Sequence, residues 1–287
     1  MIMPMEQVSV IAIGLPNAGK STFIAALGYV LQHDEVKTAL KLAQLSDEVT
    51  YINSLTDDWL GCKEFERTKT GLKDVTFELE LRDSSALLGK VVFPDISGET
   101  FEHHWSLREW EADFAALASR AEGILLFVHP LYLPKPYSVA DRAKVAGAAG
   151  EEPVETKPES WDPEKAAPQV KLVDFLQMVA SHTERKLPIR LTVIVSAWDL
   201  VLNVSEKAQP DTWLEKAAPL LHQYIVSNPE TFDARFFGVS AQGGDNSKDG
   251  ARLRAVDEPS RRVKVIGADS DEHDLSAPLK WALGSDA

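Results

Sequence analysis

The residues best suited to chemistry in this 287-residue chain are Gly14, Gly19, Lys20 and Ser21, in the run Gly14-Leu15-Pro16-Asn17-Ala18-Gly19-Lys20-Ser21. A glycine, four free positions and then Gly-Lys-Ser/Thr is the P-loop pattern, which cradles phosphate. The backbone N–H groups of Asn17, Ala18, Gly19, Lys20, Ser21 and Thr22 are expected to converge on an anion. The dipole of the helix that follows adds positive potential there. The anion such a loop takes is the β-phosphate of a nucleotide. Lys20 would reach the β- and γ-oxygens, and the Ser21 hydroxyl would ligate Mg²⁺.

That chemistry needs a strand before the loop and a helix after it. Val8 to Ile13 is an apolar run that reads as a buried strand, and Phe23, Ile24, Leu27, Val30 and Leu31 recur at helical spacing. The competing reading, a chance match in a glycine-containing turn, leaves this flanking context unexplained. Val75 to Leu81 alternates apolar and polar residues and predicts an exposed edge strand, paired in a hairpin with Gly89 to Phe93. Gly123 to Val128 and Leu191 to Val195 are continuous apolar runs of the kind buried in parallel sheets, and Phe236 to Val239 reads as the last strand. Helical patterns fall near 106–120, 169–183, 210–226 and 276–283. Alternating strands and helices predict a three-layer α/β fold, a mostly parallel sheet with one antiparallel edge strand.

Three stretches are expected to be insertions in a single domain spanning 1–287. Residues 34–66 read as a polar, helical excursion anchored by Trp59 and Phe65. Residues 134–168 read as a mobile insertion rich in Pro, Ala, Glu and Lys. Residues 242–274 read as a long loop with a short hairpin at Arg262 to Ile266.

Composition narrows the function classes. A net charge of −14 argues against a nucleic-acid or anionic-membrane surface, while leaving room for a locally positive nucleotide site. The 44% hydrophobic content supports a sizeable core, yet no apolar run approaches the length of a membrane span. The single cysteine, Cys62, fits a reducing, cytoplasmic setting. Residues before Val8 lack the basic start of a secretory signal.

Later motifs bear on which nucleotide is bound. Asp95-Ile96-Ser97-Gly98-Glu99, after the Gly89 to Phe93 strand, resembles the Asp-x-x-Gly motif of GTPases. There the Asp holds Mg²⁺ through a water and the Gly N–H senses the γ-phosphate, which implies Asp95 and Gly98 in those roles. A plain strand-ending turn is the alternative. Ser196-Ala197-Trp198-Asp199 occupies the place of the Asn-Lys-x-Asp guanine motif. The Asp199 carboxylate can accept hydrogen bonds from guanine N1–H and the exocyclic amine, a donor pair adenine lacks. Ser196 replaces Asn and Ala197 replaces the Lys that packs on the base, so Trp198 is the candidate stacking face; the alternative is that Asp199 only caps the next segment. Gly238-Val239-Ser240-Ala241-Gln242 resembles the Ser-Ala-Lys loop whose backbone N–H contacts guanine O6, which implies Ser240 and Ala241.

Arg67-Thr68-Lys69-Thr70 precedes the Val75 strand, where a switch-I threonine should ligate the metal. Thr70 is the first choice and Thr68 the second. The spacing resembles G-protein α subunits, which implies Arg67 as a built-in arginine finger; a solvated basic turn beside Glu64 and Glu66 is the alternative. Glu99 stands where most GTPases carry the water-orienting Gln. His103 and His104 are expected to be surface groups, and no spacing of these with Cys62 suggests zinc.

Together these motifs resemble a translation-factor-related (TRAFAC) GTPase domain. The P-loop is similar to that of Obg and Era proteins, but the Gly-rich N-terminal domain of the former and the KH domain are missing, and Asp-Ile-Ser-Gly replaces Asp-x-Pro-Gly. The acidic chain, the long insertion and the ending Asp274-Leu275-Ser276-Ala277-Pro278-Leu279-Lys280-Trp281 look more like the bacterial Double-GTPase family. That resemblance implies GTP/GDP and Mg²⁺ as cofactors. It also implies a switch with slow hydrolysis and a protein partner, a second GTPase or an effector, in bacterial conflict or defence systems. A non-hydrolysing nucleotide-binding scaffold and a P-loop ATPase remain open.

Overall fold

A computed structural model describes residues 8–44, 49–64, 76–84, 88–94, 104–133 and 162–284. Arg67, Thr68, Thr70, Asp95, Gly98, Glu99 and His103 lie outside these residues, as do Phe65 and most of the 134–168 insertion.

Eight strands make one sheet in the order β2-β3-β4-β1-β5-β6-β7-β8. They are β1 (Val8–Gly14), β2 (Lys41–Gln44), β3 (Thr76–Arg82), β4 (Leu88–Pro94), β5 (Gly123–Val128), β6 (Ile189–Ser196), β7 (Phe232–Ser240) and β8 (Lys264–Ile266). The central strands β4, β1, β5, β6 and β7 run parallel. Antiparallel pairing closes both margins, β2–β3–β4 on one side and β7–β8 on the other.

The parallel strands read as unbroken apolar runs because each face is covered. Along β1, Val10 and Ala12 join the core on one side while Ile11 and Ile13 join the core on the other. The first layer holds α1 (Lys20–Gln32), α2 (Val49–Leu60) and the short C-terminal α9 (Ala277–Ala282). The second holds α3 (Ala112–Arg120), α4 (Pro168–His182), α6 (Pro210–Ala217) and α7 (Pro219–Val226). This is the three-layer, mostly parallel α/β fold that the alternating pattern predicts. One polar residue inside the sheet has its own partner: Thr192 of β6 is fully buried, and its hydroxyl donates to the Pro278 carbonyl at 3.1 Å.

The structure corrects several local expectations. β3 is not an edge strand, because β2, drawn from the supposedly helical 34–66 excursion, pairs along it. Its alternation survives because Leu79 and Leu81 are buried on one face, while on the other Glu78 pairs with Lys90. The helical pattern at 210–226 is two helices, since Pro219 lacks an N–H and begins a new one after Ala218. The polar 242–274 stretch is not one loop. It holds α8 (Asn246–Arg254), whose N-cap Asp245 accepts from the Ser247 and Lys248 N–H groups at 2.9 and 3.0 Å. The Arg262 to Ile266 region contributes β8, which pairs with β7 rather than with itself. His104 is not a surface group: it is buried beside Phe114, and its Nε2 accepts from the Glu111 N–H at 3.3 Å.

Helix α9 lies so close to β5 that a Cβ on Gly123 would sit 2.3 Å from the Ala282 carbonyl oxygen, a backbone atom with little freedom to move. We expect Gly123→Ala to lower unfolding free energy by about 1–3 kcal/mol. Urea denaturation checks this, and an unchanged midpoint would mean that α9 is not held against the sheet in this way.

Candidate functional site

The parallel strands deliver Gly14, Val128, Ser196 and Ser240 to one margin of the sheet, the side where ligands bind in open α/β folds. β4 is a parallel neighbour of β1, so the strand leading directly to Asp95 ends on that margin as well.

After Gly14 the chain turns, with the Ala18 N–H donating to the Leu15 carbonyl at 3.1 Å. Asn17 and Gly19 take left-handed backbone conformations, with φ of 60° and 90°. Gly19 also passes within van der Waals reach of β6, where a Cβ would lie 2.9 Å from Ser196 Cβ and Oγ. Helix α1 then begins at Lys20 with no side-chain cap and no acidic residue in its first turn. The first N–H groups of a helix lack intrahelical acceptors. Here they meet a left-handed turn of successive amides, the arrangement that forms an anion-binding nest. These observations fit a polyphosphate. Lys20 Nζ is held against the loop backbone, donating to the Gly14 carbonyl at 2.8 Å and the Leu15 carbonyl at 3.3 Å. Ser21 is exposed at the helix start and Thr22 is half-buried. Of the proposed Mg²⁺ ligands, Ser21 is the one the described residues contain.

Ser196, at the end of β6, donates to the Ala18 carbonyl at 2.7 Å and lies 3.3 Å from the Val128 carbonyl. Its hydroxyl therefore braces the phosphate loop across the sheet. Ala197 adopts φ 44°, ψ 44°, a left-handed turn that starts α5 (Trp198–Leu202) and puts Asp199 in its first turn. Trp198 does not offer a stacking face. It is fully buried, edge-on to Trp213 at 6.0 Å and against Gly238, where a Cβ would come within 2.3 Å of its ring. The indole's large apolar surface gains more from the core than from a solvent-facing site.

Asp199 and the β7 loop are joined. Ser240 Oγ donates to Asp199 Oδ1 at 2.5 Å and accepts the Gly243 N–H at 3.2 Å. The loop closes through Gly243 and Gly244, both at positive φ. Ser240 is the hydrogen-bond partner of the Asp199 carboxylate among the described residues, so Oδ2 retains its acceptor capacity for a ligand. Two groups here escape a motif-based reading. His129, directly after β5, is within electrostatic reach of Asp199: burial pushes its imidazole below the usual histidine range and the carboxylate pulls it back. Its Nδ1 accepts the Leu131 N–H at 3.2 Å, which leaves the proton on Nε2 in the neutral ring. Trp59 of α2 donates through Nε1 to the Ala241 carbonyl at 3.0 Å. The first lies at a strand end that the apolar run already marks; the second depends on a contact between distant segments.

The Double-GTPase 1 family profile matches residues 11–282. The chain belongs to that family. Among solved structures, it is similar to the G domain of the T. maritima FeoB iron transporter, at 12% identity and a TM-score of 0.34, over 86% of this chain and 96% of that one. It is also similar to the S. cerevisiae Ski7 GTPase-like domain bound to GTP, at 15% identity and a TM-score of 0.45. That match covers 83% of this chain and spans less than half, 43%, of the Ski7 chain. No curated protein matches the sequence. Family membership makes this chain a P-loop GTPase by descent.

Because Ser196 acts on the phosphate loop, Ser196→Ala should weaken GTP and ATP binding by the same factor, about three- to tenfold, with their ratio unchanged. Titration calorimetry with both nucleotides checks this; a loss confined to GTP would make Ser196 a base reader instead.

Proposed function

We propose that this chain binds GTP and GDP with Mg²⁺, hydrolyses GTP slowly and acts as a molecular switch. One observation carries most of this reading: a carboxylate, Asp199, held by Ser240 on the same sheet margin as an uncapped, left-handed phosphate loop. The first arrangement suits a purine edge with paired donors and the second suits a polyphosphate.

In this mechanism the amides of residues 14 and 17–22 hold the phosphates and Lys20 neutralises the β- and γ-oxygens. Ser21 and Thr70, with Thr68 as the second choice, would hold the metal, and Asp95 would hold it through a water. The ion supplies charge neutralisation on the phosphoryl group being transferred. Gly98 and Thr70 contact the γ-phosphate region and let go after hydrolysis, which releases two switch segments. Glu99 orients the attacking water less well than an amide would, since it brings negative charge toward the γ-phosphate. Intrinsic turnover is therefore expected at the low end of the ~10⁻⁴ to 10⁻² s⁻¹ range, unless Arg67 inserts.

Asp199 reads guanine N1–H and the exocyclic amine, and the Ala241 N–H reads O6. The chain works as one domain with insertions at 34–66, 134–168 and 242–274. A protein partner, a second GTPase or an effector, is part of this reading, as is a bacterial defence role; the family name, Double-GTPase 1, is in line with a second GTPase and does not bear on defence. A cytoplasmic setting is part of this reading; among the described residues no helix is long and apolar enough to cross a membrane.

Two experiments test this function. Calorimetry with Mg²⁺ should show GTP bound at least tenfold more tightly than ATP, and Asp199→Asn should lower GTP affinity and raise xanthosine triphosphate affinity, by about tenfold each. Equal GTP and ATP affinities would favour an ATPase, and an unchanged GTP affinity in the variant would remove Asp199 as the reader. Arg67→Ala should slow single-turnover hydrolysis at least tenfold with little change in binding. An equal rate would remove the finger, and no phosphate release from the parent chain would leave a scaffold.

A further inference from the structure

Helix α2 belongs to the segment between α1 and residues 65–75, and it packs across α1 in the first layer. The carbonyls at and just after its end accept further donors; that of Trp59 already takes the Cys62 N–H at 3.1 Å. Side chains from the stretch after β7 add to these bonds. Gln242 Nε2 donates to the Trp59 carbonyl at 3.2 Å, Arg262 Nη1 to the Leu60 carbonyl at 3.3 Å and Arg254 Nη1 to the Gly61 carbonyl at 3.4 Å. Asn246 Nδ2 donates to the Lys63 carbonyl at 3.1 Å.

One bond runs the other way. Trp59 is fully buried, with the Tyr29 ring 5.3 Å away and the Arg262 guanidinium 5.2 Å from its ring centroid. A buried indole usually places its N–H on an acceptor, and that of Trp59 does. The acceptor is the carbonyl of Ala241, in the loop between β7 and α8. The preceding residue, Ser240, is already tied to Asp199 and to Gly243. Consecutive residues of that loop are thus fixed from opposite sides, one by the β6 end and one by α2.

We infer that Trp59 is a positioning residue for purine selection: its indole N–H fixes the Ala241 peptide so that the 240–242 loop meets the base edge already ordered. This role rests on the base-reading function proposed above for Asp199 and Ala241. Trp59 itself touches no nucleotide. It removes the cost of ordering the loop on binding, a gain that reaches only a base whose edge the loop contacts. A residue that merely stabilised the fold would affect all nucleotides alike.

The test is calorimetry on the full chain with GTP and with ATP, for the parent, Trp59→Phe and Gln242→Leu. The first variant keeps the ring and loses the donor. The second keeps Trp59 and removes the Gln242 tie to its carbonyl. Both should lose about tenfold in GTP affinity while ATP affinity changes less than about twofold, so that the GTP-to-ATP ratio falls. Thermal unfolding should stay cooperative. If Trp59→Phe does not fold, Trp59→His, which keeps a ring N–H on a smaller ring, is compared with Trp59→Leu, and Gln242→Leu reads the second tie between α2 and the loop. An unchanged ratio, or equal losses for both nucleotides, overturns the positioning role. A parent chain with no preference for GTP would instead indict base reading by Asp199 and Ala241.

Discussion

A parallel sheet covered on both faces has one good place for polar chemistry, the margin where its strands end and their backbone groups meet helix starts. In this chain that constraint arranges everything else. β1, β5, β6 and β7 are mostly apolar toward their C-terminal halves, Thr192 of β6 being a buried exception, and their ends bring Gly14, His129, Ser196 and Ser240 to one margin. The Ser196 hydroxyl spans between two of those ends and fixes the Ala18 carbonyl. The phosphate loop is therefore held by the sheet, not only by its own turn. A chain with net charge −14 needs such local order, because its overall field opposes an anionic ligand.

Some of this was legible in the sequence because it depends on short-range backbone demands. A left-handed residue at 19 needs glycine, a buried parallel strand needs an apolar run, and a helix start after a loop sets the amides. Those rules locate β1, α1, β5 and β6 to within a few residues. Long-range contacts are another matter. The polarity of 242–274 signals a loop, yet its donors are spent on α8 and on the carbonyls of α2, partners that lie far away in the chain. β3 alternates like an exposed edge because its second face is only partly covered, and sequence gives no sign that β2 pairs beyond it. Trp198 shows a further limit. Its position in a recognition motif suggests a ligand contact, but Gly238 on the neighbouring strand leaves a space into which the indole packs.

The departures from the Asn-Lys-x-Asp pattern have separate physical consequences. Serine at 196 keeps a donor for the phosphate loop, so that replacement preserves the brace. Alanine at 197 has no stem to lay on a base, and it adopts the left-handed turn that a glycine or an asparagine takes more easily. Trp198 does not substitute, since it faces the core. Neither residue therefore covers the flat surface of a base.

On the proposed reading, recognition falls on the base's edge, where hydrogen-bonding groups rather than stacking area decide the outcome. Edge recognition is sensitive to small displacements, because hydrogen bonds weaken steeply with angle while a stacked face tolerates sliding. A site that gives up stacking gains from a loop ordered before the ligand arrives. The Ser240 tie to Asp199 and the indole N–H on Ala241 supply that order from two layers of the fold. The helix α2 that precedes β3 is bonded, through the Trp59 indole, to the loop that the proposed reading sets against the base edge.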